Sequence, residues 1–242
     1  LTNINFDFIE GDIRDKSLLR KIFKKYKFDA VIHFAGLKAV GESEAKPLNY
    51  FENNISGSLA LLNEMDFANV NSLVFSSSAT VYGEPKVPKC DENSKLCPKN
   101  IYGQTKLIVE NILTSLKEIQ PKWKIVNLRY FNPIGAHPSG LIGEDPNGEP
   151  NNLMPYISQV AIGKRDKLFI YGDDYNTSDG SGRRDYIHIQ DLADGHIAAL
   201  KKLLQGAPLK TNINLGTGKS YSVFEVINAF EKASSKRIPF KI

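Results

Sequence analysis

A tyrosine and a lysine four residues apart, in Tyr102-Gly103-Gln104-Thr105-Lys106, open a stretch of helical spacing. One helical turn puts both side chains on the same face. A phenol with a reference pKa of about 10 is a poor base at neutral pH, but a nearby ammonium favours the phenolate and is expected to lower that value. Such a pair can exchange a proton with a sugar or alcohol hydroxyl. Upstream, the apolar run Leu73-Val74-Phe75 leads into Ser76-Ser77-Ser78-Ala79-Thr80, which places hydroxyls where a parallel sheet presents its ligands. Taken singly, the first feature reads as a surface pair on a helix and the second as turn or cap chemistry. Their order along the chain, strand then serine cluster then Tyr-x-x-x-Lys, is what joins them into a candidate catalytic set.

The elements that must position this set follow from periodicity. Short apolar β-type runs alternate with helical spacing from end to end, which implies βαβ units. Phe6-Asp7-Phe8-Ile9 reads as a first strand, and a helix starts near Asp15 with Leu18, Leu19, Ile22, Phe23 and Tyr26 on one face. Ala30 to Phe34 is a continuous apolar strand, as expected where both faces of a parallel sheet are covered. A helix from Pro47 carries Tyr50, Phe51, Ile55, Leu59, Leu62 and Met65, the strand at Leu73 to Phe75 follows, then a helix from Tyr102 to Leu116 and a strand from Ile125 to Phe131. Asn132 to Asn152 holds four Pro and four Gly with little apolar periodicity and reads as a long loop, of a length that is usually functional or disordered, where a sheet's carboxyl edge would open. Beyond it the spacing predicts a helix at Met154 to Ile162, a strand at Leu168 to Tyr171, a Gly/Asp/Ser loop to Gly182 and a strand at Asp185 to Ile189. Helices at Asp191 to Leu204 and Val223 to Ala233 flank a last strand at Asn212 to Leu215. The expected fold is α/β: a Rossmann-like doubly wound parallel sheet over residues 1–132, and a smaller α/β substrate domain over 133–242, with 185–205 able to pack back on the first.

Composition narrows the function. At 242 residues, 41% hydrophobic and 24% charged, the chain can bury a sizeable core, which excludes disordered and low-complexity classes. A net charge of +4 with scattered basic residues gives nucleic-acid binding no support. No apolar run approaches the roughly 18 residues of a membrane span, and the start lacks a signal-peptide pattern. Cys90 and Cys97 lie in a polar stretch without a neighbouring His, so free thiols in a reducing cytoplasm are expected, with neither a disulfide framework nor a metal site. None of the four His is assigned to catalysis: His33 falls in a buried strand, and His137, His188 and His196 lack partners at metal spacing.

Longer strings then carry a resemblance. Phe34-Ala35-Gly36-Leu37-Lys38-Ala39-Val40-Gly41-Glu42-Ser43, Ser76-Ser77-Ser78-Ala79-Thr80-Val81-Tyr82-Gly83, Leu128-Arg129-Tyr130-Phe131-Asn132-Pro133, Pro150-Asn151-Asn152-Leu153-Met154-Pro155 and Arg184-Asp185-Tyr186-Ile187-His188 resemble the UDP-glucose 4-epimerases of the extended short-chain dehydrogenase/reductase family. That family implies tightly bound NAD, a cytosolic homodimer, and inversion at C4 of the hexose in UDP-glucose and UDP-galactose through a transient 4-keto sugar. Carried over by residue, the resemblance makes Tyr102 the general acid/base, Ser78 the donor sharing the C4 hydroxyl proton, and Lys106 the group that grips the nicotinamide ribose and tunes Tyr102. It puts Asp12 and Ile13 at the adenine, Phe34, Ala35, Gly36, Leu37 and Lys38 along the pyrophosphate and ribose, Asn53 at the cofactor, and Phe131 near the nicotinamide. Asn132, Asn152, Leu153, Phe169, Ile170, Tyr171 and Arg184 fall at its nucleotide-sugar contacts, Arg184 offering a charge-assisted fork to the diphosphate.

Departures from the family matter as well. The chain has no Gly-x-x-Gly-x-x-Gly phosphate loop and no initiating Met, and it stops at Pro239-Phe240-Lys241-Ile242, so the expectation is that the first βαβ unit is missing and that both ends are truncated. Ile101 stands where most relatives have Pro. Gly216-Thr217-Gly218-Lys219-Ser220 mimics a Walker A loop but has Ile213 where the required Gly would be, so it reads as a turn. A 4,6-dehydratase would need an Asp-Glu pair where Ala79 and Thr80 stand. The alternatives are another NAD-dependent nucleotide-sugar epimerase/dehydratase and, if the polypeptide truly begins at Leu1, a catalytically silent binding protein on the same fold.

Overall fold

The structure, a computed structural model, describes residues 4–84, 89–146 and 148–242; Asn147, within the loop read over 132–152, lies outside the described residues. In chain order the elements are α1 (Lys16–Lys25), β1 (Val31–His33), α2 (Val40–Ala45), α3 (Pro47–Tyr50), a π-helical turn (Phe51–Ser56), α4 (Gly57–Phe67) and β2 (Ser72–Ser78). A 3-10 turn (Ala79–Tyr82), α5 (Ile101–Ile119), β3 (Lys124–Tyr130), β4 (Asn132–Ile134), α6 (Leu153–Ala161), β5 (Leu168–Phe169) and β6 (Arg183–His188) follow. The chain then forms α7 (Ile189–Leu204), β7 (Asn212–Leu215), β8 (Ser220–Ser222), α8 (Val223–Ser234) and β9 (Phe240–Lys241). Contacts divide it into two units: a larger one running to Tyr130 and taking in Ala193–Leu215, and a smaller one of Phe131–Leu192 with Gly216–Ile242.

The larger unit is an α/β Rossmann-like layer built on a parallel sheet of order β1-β2-β3-β7. Successive side chains of a strand point to opposite faces, and β2 shows the consequence. Leu73 and Phe75 join Leu61, Met65, Val109, Leu113 and Trp123 under α4 and α5, while Val74 joins Val126, Leu128, Ala199 and Leu203 under α7. Both faces are therefore covered, which is why these strands are continuous apolar runs and not alternating ones. Because all four strands are parallel, Phe34, Ser78, Tyr130 and Leu215 come out at one carboxyl edge of the sheet.

Three readings of the sequence need correction here, the first being that Asn132–Ile134, read as the start of a long loop, is strand β4 paired parallel to β6. Phe6 to Ile9 is not a strand: it pairs with no described neighbour, and Phe6 and Phe8 are exposed. A β-type pattern becomes a strand only when another strand takes up its N–H and C=O groups. The helix expected to run on from Pro47 is broken into α3, the π-helical turn and α4. Its one-residue widening lets Asn54 turn into the interior, where Nδ2 donates to the Leu37 carbonyl (3.0 Å) and to Thr105 Oγ1 (3.0 Å) and Oδ1 accepts from Leu37 N–H (2.8 Å).

The smaller unit has a three-stranded sheet in which β6 pairs parallel to β4 and antiparallel to β8, and a separate parallel pair of β5 with β9. Its core gathers Ile157, Val160, Leu168, Ile170, Ile227 and Ile238 from α6, α8 and their neighbours. Ser222 and Glu225 form a reciprocal capping box that starts α8.

Candidate functional site

In the larger unit the three serines of β2 face three different groups. Ser76 Oγ pairs with His196 Nε2 at 2.8 Å, Ser77 Oγ donates to Glu110 Oε1 at 2.5 Å, and Ser78, last in the strand, opens at the carboxyl edge. Alternation along the strand explains the first two, since Ser76 shares a face with Val74 and Ser77 with Phe75. Asn100 caps α5 by accepting from Gly103 N–H (2.7 Å), and Ser43 Oγ accepts from Tyr102 N–H (3.2 Å), so the helix enters with Tyr102 already held. The N–H of Ile101, which a Pro would lack, donates to Glu44 Oε1 at 2.8 Å. Tyr102, Lys106 and Glu110 then follow at four-residue spacing on the buried face of α5.

Lys106 is buried, with Nζ donating to the Ser76 carbonyl (2.8 Å) and lying 4.9 Å from the Phe75 ring centroid. Burial takes its pKa down to about 8, with the Glu110 charge opposing. Glu110 is in turn locked against Arg129, whose NH2 donates to Oε2 at 2.6 Å and Nε to Oε1 at 3.0 Å. Burial works against the Arg129 charge, but the bonds to Glu110 prevail and raise its pKa. His33 Nε2 lies 2.8 Å from Ser58 Oγ, whose own hydrogen goes to the Asn54 carbonyl, so Nε2 is the donor. Burial, then the Lys106 charge, takes His33 down to about 3 and keeps it neutral.

Tyr102 departs from the expectation. Burial pushes its phenol above the ordinary value, and the group that pulls the other way is Ser78, not Lys106. Lys106 Nζ is 5.9 Å from the ring centroid, and desolvation outweighs the ammonium at that separation.

The residues assigned to NAD are placed as follows. Phe34, Ala35, Gly36 and Lys38 are exposed just past β1, with Leu37 half-buried. A Cβ on Gly36 would stand 3.5 Å from Lys106 Nζ and 3.4 Å from Asn54 Oδ1, so the bare backbone keeps open the space before the buried ammonium. An open backbone beside a fixed cation and amide fits a ribose and its neighbouring groups. Asn53 donates to Asn54 Oδ1 (2.9 Å). Asp12 is exposed and bound to Arg14 at 2.7 Å, which takes its carboxyl down to about 2, and Ile13 packs at the edge of the core under α4. Phe131, in the smaller unit, would touch a Cβ placed on Gly216 at 2.8 Å.

All seven residues assigned to the nucleotide sugar line one cavity of about 320 Å³ in the smaller unit: Asn132, Asn152, Leu153, Phe169, Ile170, Tyr171 and Arg184. Tyr175 and Tyr186 line it too, and only the Gly/Asp/Ser texture of the loop hinted at the first. Asn152 is bonded to Glu144 (3.0 Å). Arg184 is exposed with NH1 on the Arg183 carbonyl (2.7 Å), whereas Arg183 is committed to the Ser220 carbonyl (2.6 Å) and Glu225 (3.0 Å). The turn that mimics a phosphate loop instead wraps Asp185: Thr217 N–H and Oγ1 donate to Oδ1 (2.9 and 2.7 Å), and Gly218 N–H to Oδ2 (2.7 Å). Sequence reasoning also missed Asn54 and Glu110; the signal for Glu110 was a carboxylate one turn past Lys106 on an otherwise apolar face. Among the described residues there is no cluster able to hold a metal, and no helix is long and apolar enough to cross a membrane.

Residues 2–216 match the NAD dependent epimerase/dehydratase family. The chain is 59% identical to UDP-glucose 4-epimerase 1 of Oryza sativa subsp. japonica over 97% of its own length and 67% of that protein's. With UDP-glucose 4-epimerase 2 of the same plant it shares 57% over 98% of the chain, spanning 59% of that relative's length. Among solved structures, UDP-glucose-4-epimerase from Stenotrophomonas maltophila, with bound NAD and formylated UDP-arabinopyranose, superposes with a TM-score of 0.92 at 50% identity, covering 97% of this chain and 70% of that one.

Proposed function

The chain belongs to the NAD dependent epimerase/dehydratase family, and we propose that it is an isomerase interconverting UDP-glucose and UDP-galactose by inversion at C4. The observation that carries this reading is the buried Ser78, Tyr102 and Lys106 set at one sheet edge, in a chain this similar to epimerases. NAD, when bound, supplies a reversible hydride acceptor for C4, so no net redox change results. Phe34 to Lys38, Asn53, Asp12, Ile13 and Phe131 are the residues that would hold it, and Lys106 would bond its nicotinamide ribose.

Tyr102 takes the proton of the C4 hydroxyl as the 4-keto sugar forms and returns it when the other face is reduced. Ser78, whose one hydrogen favours the Tyr102 phenolate in the ligand-free site, gives that hydrogen to the same oxygen once the sugar is bound. Asn132, Asn152, Leu153, Phe169, Ile170, Tyr171 and Arg184 bind the nucleotide sugar, with Arg184 on its diphosphate. Apart from Phe131, the cofactor residues lie in the larger unit together with the Ser78, Tyr102 and Lys106 set, and the nucleotide-sugar contacts lie in the smaller. A cytosolic setting belongs to this reading, Cys90 and Cys97 being free thiols. So does a homodimer, supported by the apolar groove along Ile108, Ile112, Leu116 and Ile119 of α5.

The test is conversion of UDP-galactose to UDP-glucose by the full-length protein. Tyr102→Phe should lower kcat by about 10²- to 10⁴-fold, the usual worth of a positioned acid/base. Turnover within threefold of wild type would remove Tyr102 from the mechanism.

A further inference from the structure

We infer that Thr80 is a positioning residue that aims the proton of Ser78, so that Ser78 acts only as a donor in the reaction. Ser78 Oγ accepts from the Thr80 N–H at 3.2 Å and from Thr80 Oγ1 at 3.0 Å. A serine hydroxyl has two lone pairs and one hydrogen. The Thr80 N–H takes one lone pair, and with the Thr80 hydroxyl as donor both are taken, so the hydrogen is the part of Ser78 left for a ligand or for Tyr102. A free hydroxyl rotor would instead sample orientations in which it accepts, and an acceptor beside Tyr102 would favour the neutral phenol.

The backbone holds Thr80 to this task. Ser78 ends β2 in extended conformation and caps the 3-10 turn that begins at Ala79, so Thr80 curls back over the serine it follows. Gly83 closes the turn at φ 67°, with its N–H on the Thr80 carbonyl (3.1 Å); a Cβ there would overlap the Cys97 carbonyl. The turn therefore cannot relax without moving the neighbouring chain. A carboxylate at position 80 would compete for protons at this edge, and a valine would remove one of the two donors while keeping the shape.

The inference rests on the epimerase reading for its kinetic arm alone. Its second arm follows ionisation of Tyr102 without substrate, as the phenolate absorbance of each full-length protein minus that of its Tyr102→Phe counterpart. The groups that face Tyr102 are Lys106 on its own helix, Tyr50 of α3 with Glu42 of α2 bonded to it, and Tyr130 of β3 with His196 beside it; Glu110 and His33 face Lys106. None of these changes in the variants. Thr80→Val should lower kcat about tenfold with KM within twofold, and move the Tyr102 titration to higher pH. Thr80→Ser, which keeps the hydroxyl and the N–H, should recover kcat to within about threefold of wild type. Thr80→Ala serves as the second hydroxyl-free variant if Val fails to fold. An unchanged Tyr102 titration, an unchanged kcat, or a Thr80→Ser variant as slow as Thr80→Val would overturn the assignment. Should the wild type fail to interconvert the sugars, the epimerase reading fails and the titration still judges Thr80.

Discussion

Around their candidate residues the two units handle polar groups in opposite ways. In the larger one the side chains around Tyr102 are buried and bonded to one another: Ser76 with His196, Ser77 and Arg129 with Glu110, Asn54 with Leu37 and Thr105. In the smaller one the cavity is lined by exposed Asn152, Tyr171 and Arg184, and Arg184 bonds only its neighbour's carbonyl among the described residues. Proton transfer needs fixed directions and fixed pKa values, which burial and complete hydrogen bonding supply. Admission and release of a large anion need side chains that water can replace. Loss of a group from the larger unit should therefore act on stability and turnover, and loss from the smaller unit on binding.

The largest expected effect on this contrast comes from Glu110. Glu110→Ala leaves the Arg129 guanidinium buried without its carboxylate, and breaking such a pair costs about 3 to 5 kcal/mol. Urea denaturation of the full-length protein measures it, and a loss below about 1 kcal/mol would mean that the buried network is not what holds α5 on the sheet. The next effect is at Arg184. A charge-assisted contact is worth about 1.5 to 3 kcal/mol, so Arg184→Ala should raise KM for the UDP-sugar about 10- to 150-fold, with a smaller change in kcat and little in NAD affinity. Arg183→Ala should leave KM nearly unchanged, because its guanidinium is already spent on Ser220 and Glu225. A larger KM effect at Arg183 would move the diphosphate assignment by one residue.

The smallest is a pH effect from His33. Its folded pKa of about 3 lies below the ordinary value of 6.5, so between these the unfolded chain binds the extra proton and stability falls as pH drops. The slope is at most about 1.4 kcal/mol per pH unit. His33→Gln should flatten the loss between pH 6.5 and 4.5 in urea titrations, while Lys106, which titrates near 8, stays out of that window. Equal slopes in the two proteins would show that His33 ionises freely in the fold.

Tyr102, Lys106 and Ser78 were legible in advance because a helix turn and a strand end are local geometry, and spacing alone brings Tyr102 and Lys106 to one face. Arg184 and the other six cavity residues were legible only through resemblance, since they come from β4, α6, β5, β6 and their loops, and no periodicity links them. Phe6 to Ile9 shows the limit in the other direction, a strand pattern without a strand. Asn54 was out of reach because a π-helical widening is not written in residue type, and its partners lie 17 and 51 positions away.

By itself the sequence determined the alternation of strands and helices, the apolar faces that cover the sheet on both sides, and the reactive groups at one edge, all of which follow from periods of 2 and 3.6 and from residue chemistry. Only the tertiary structure decided the electrostatics. The sign of the Tyr102 shift turns on how much water burial removes, which no spacing encodes, and the pairing of Glu110 with Arg129 joins positions 19 apart. Both depend on which surfaces meet, and desolvation, unlike helical phase, is a property of the assembled core.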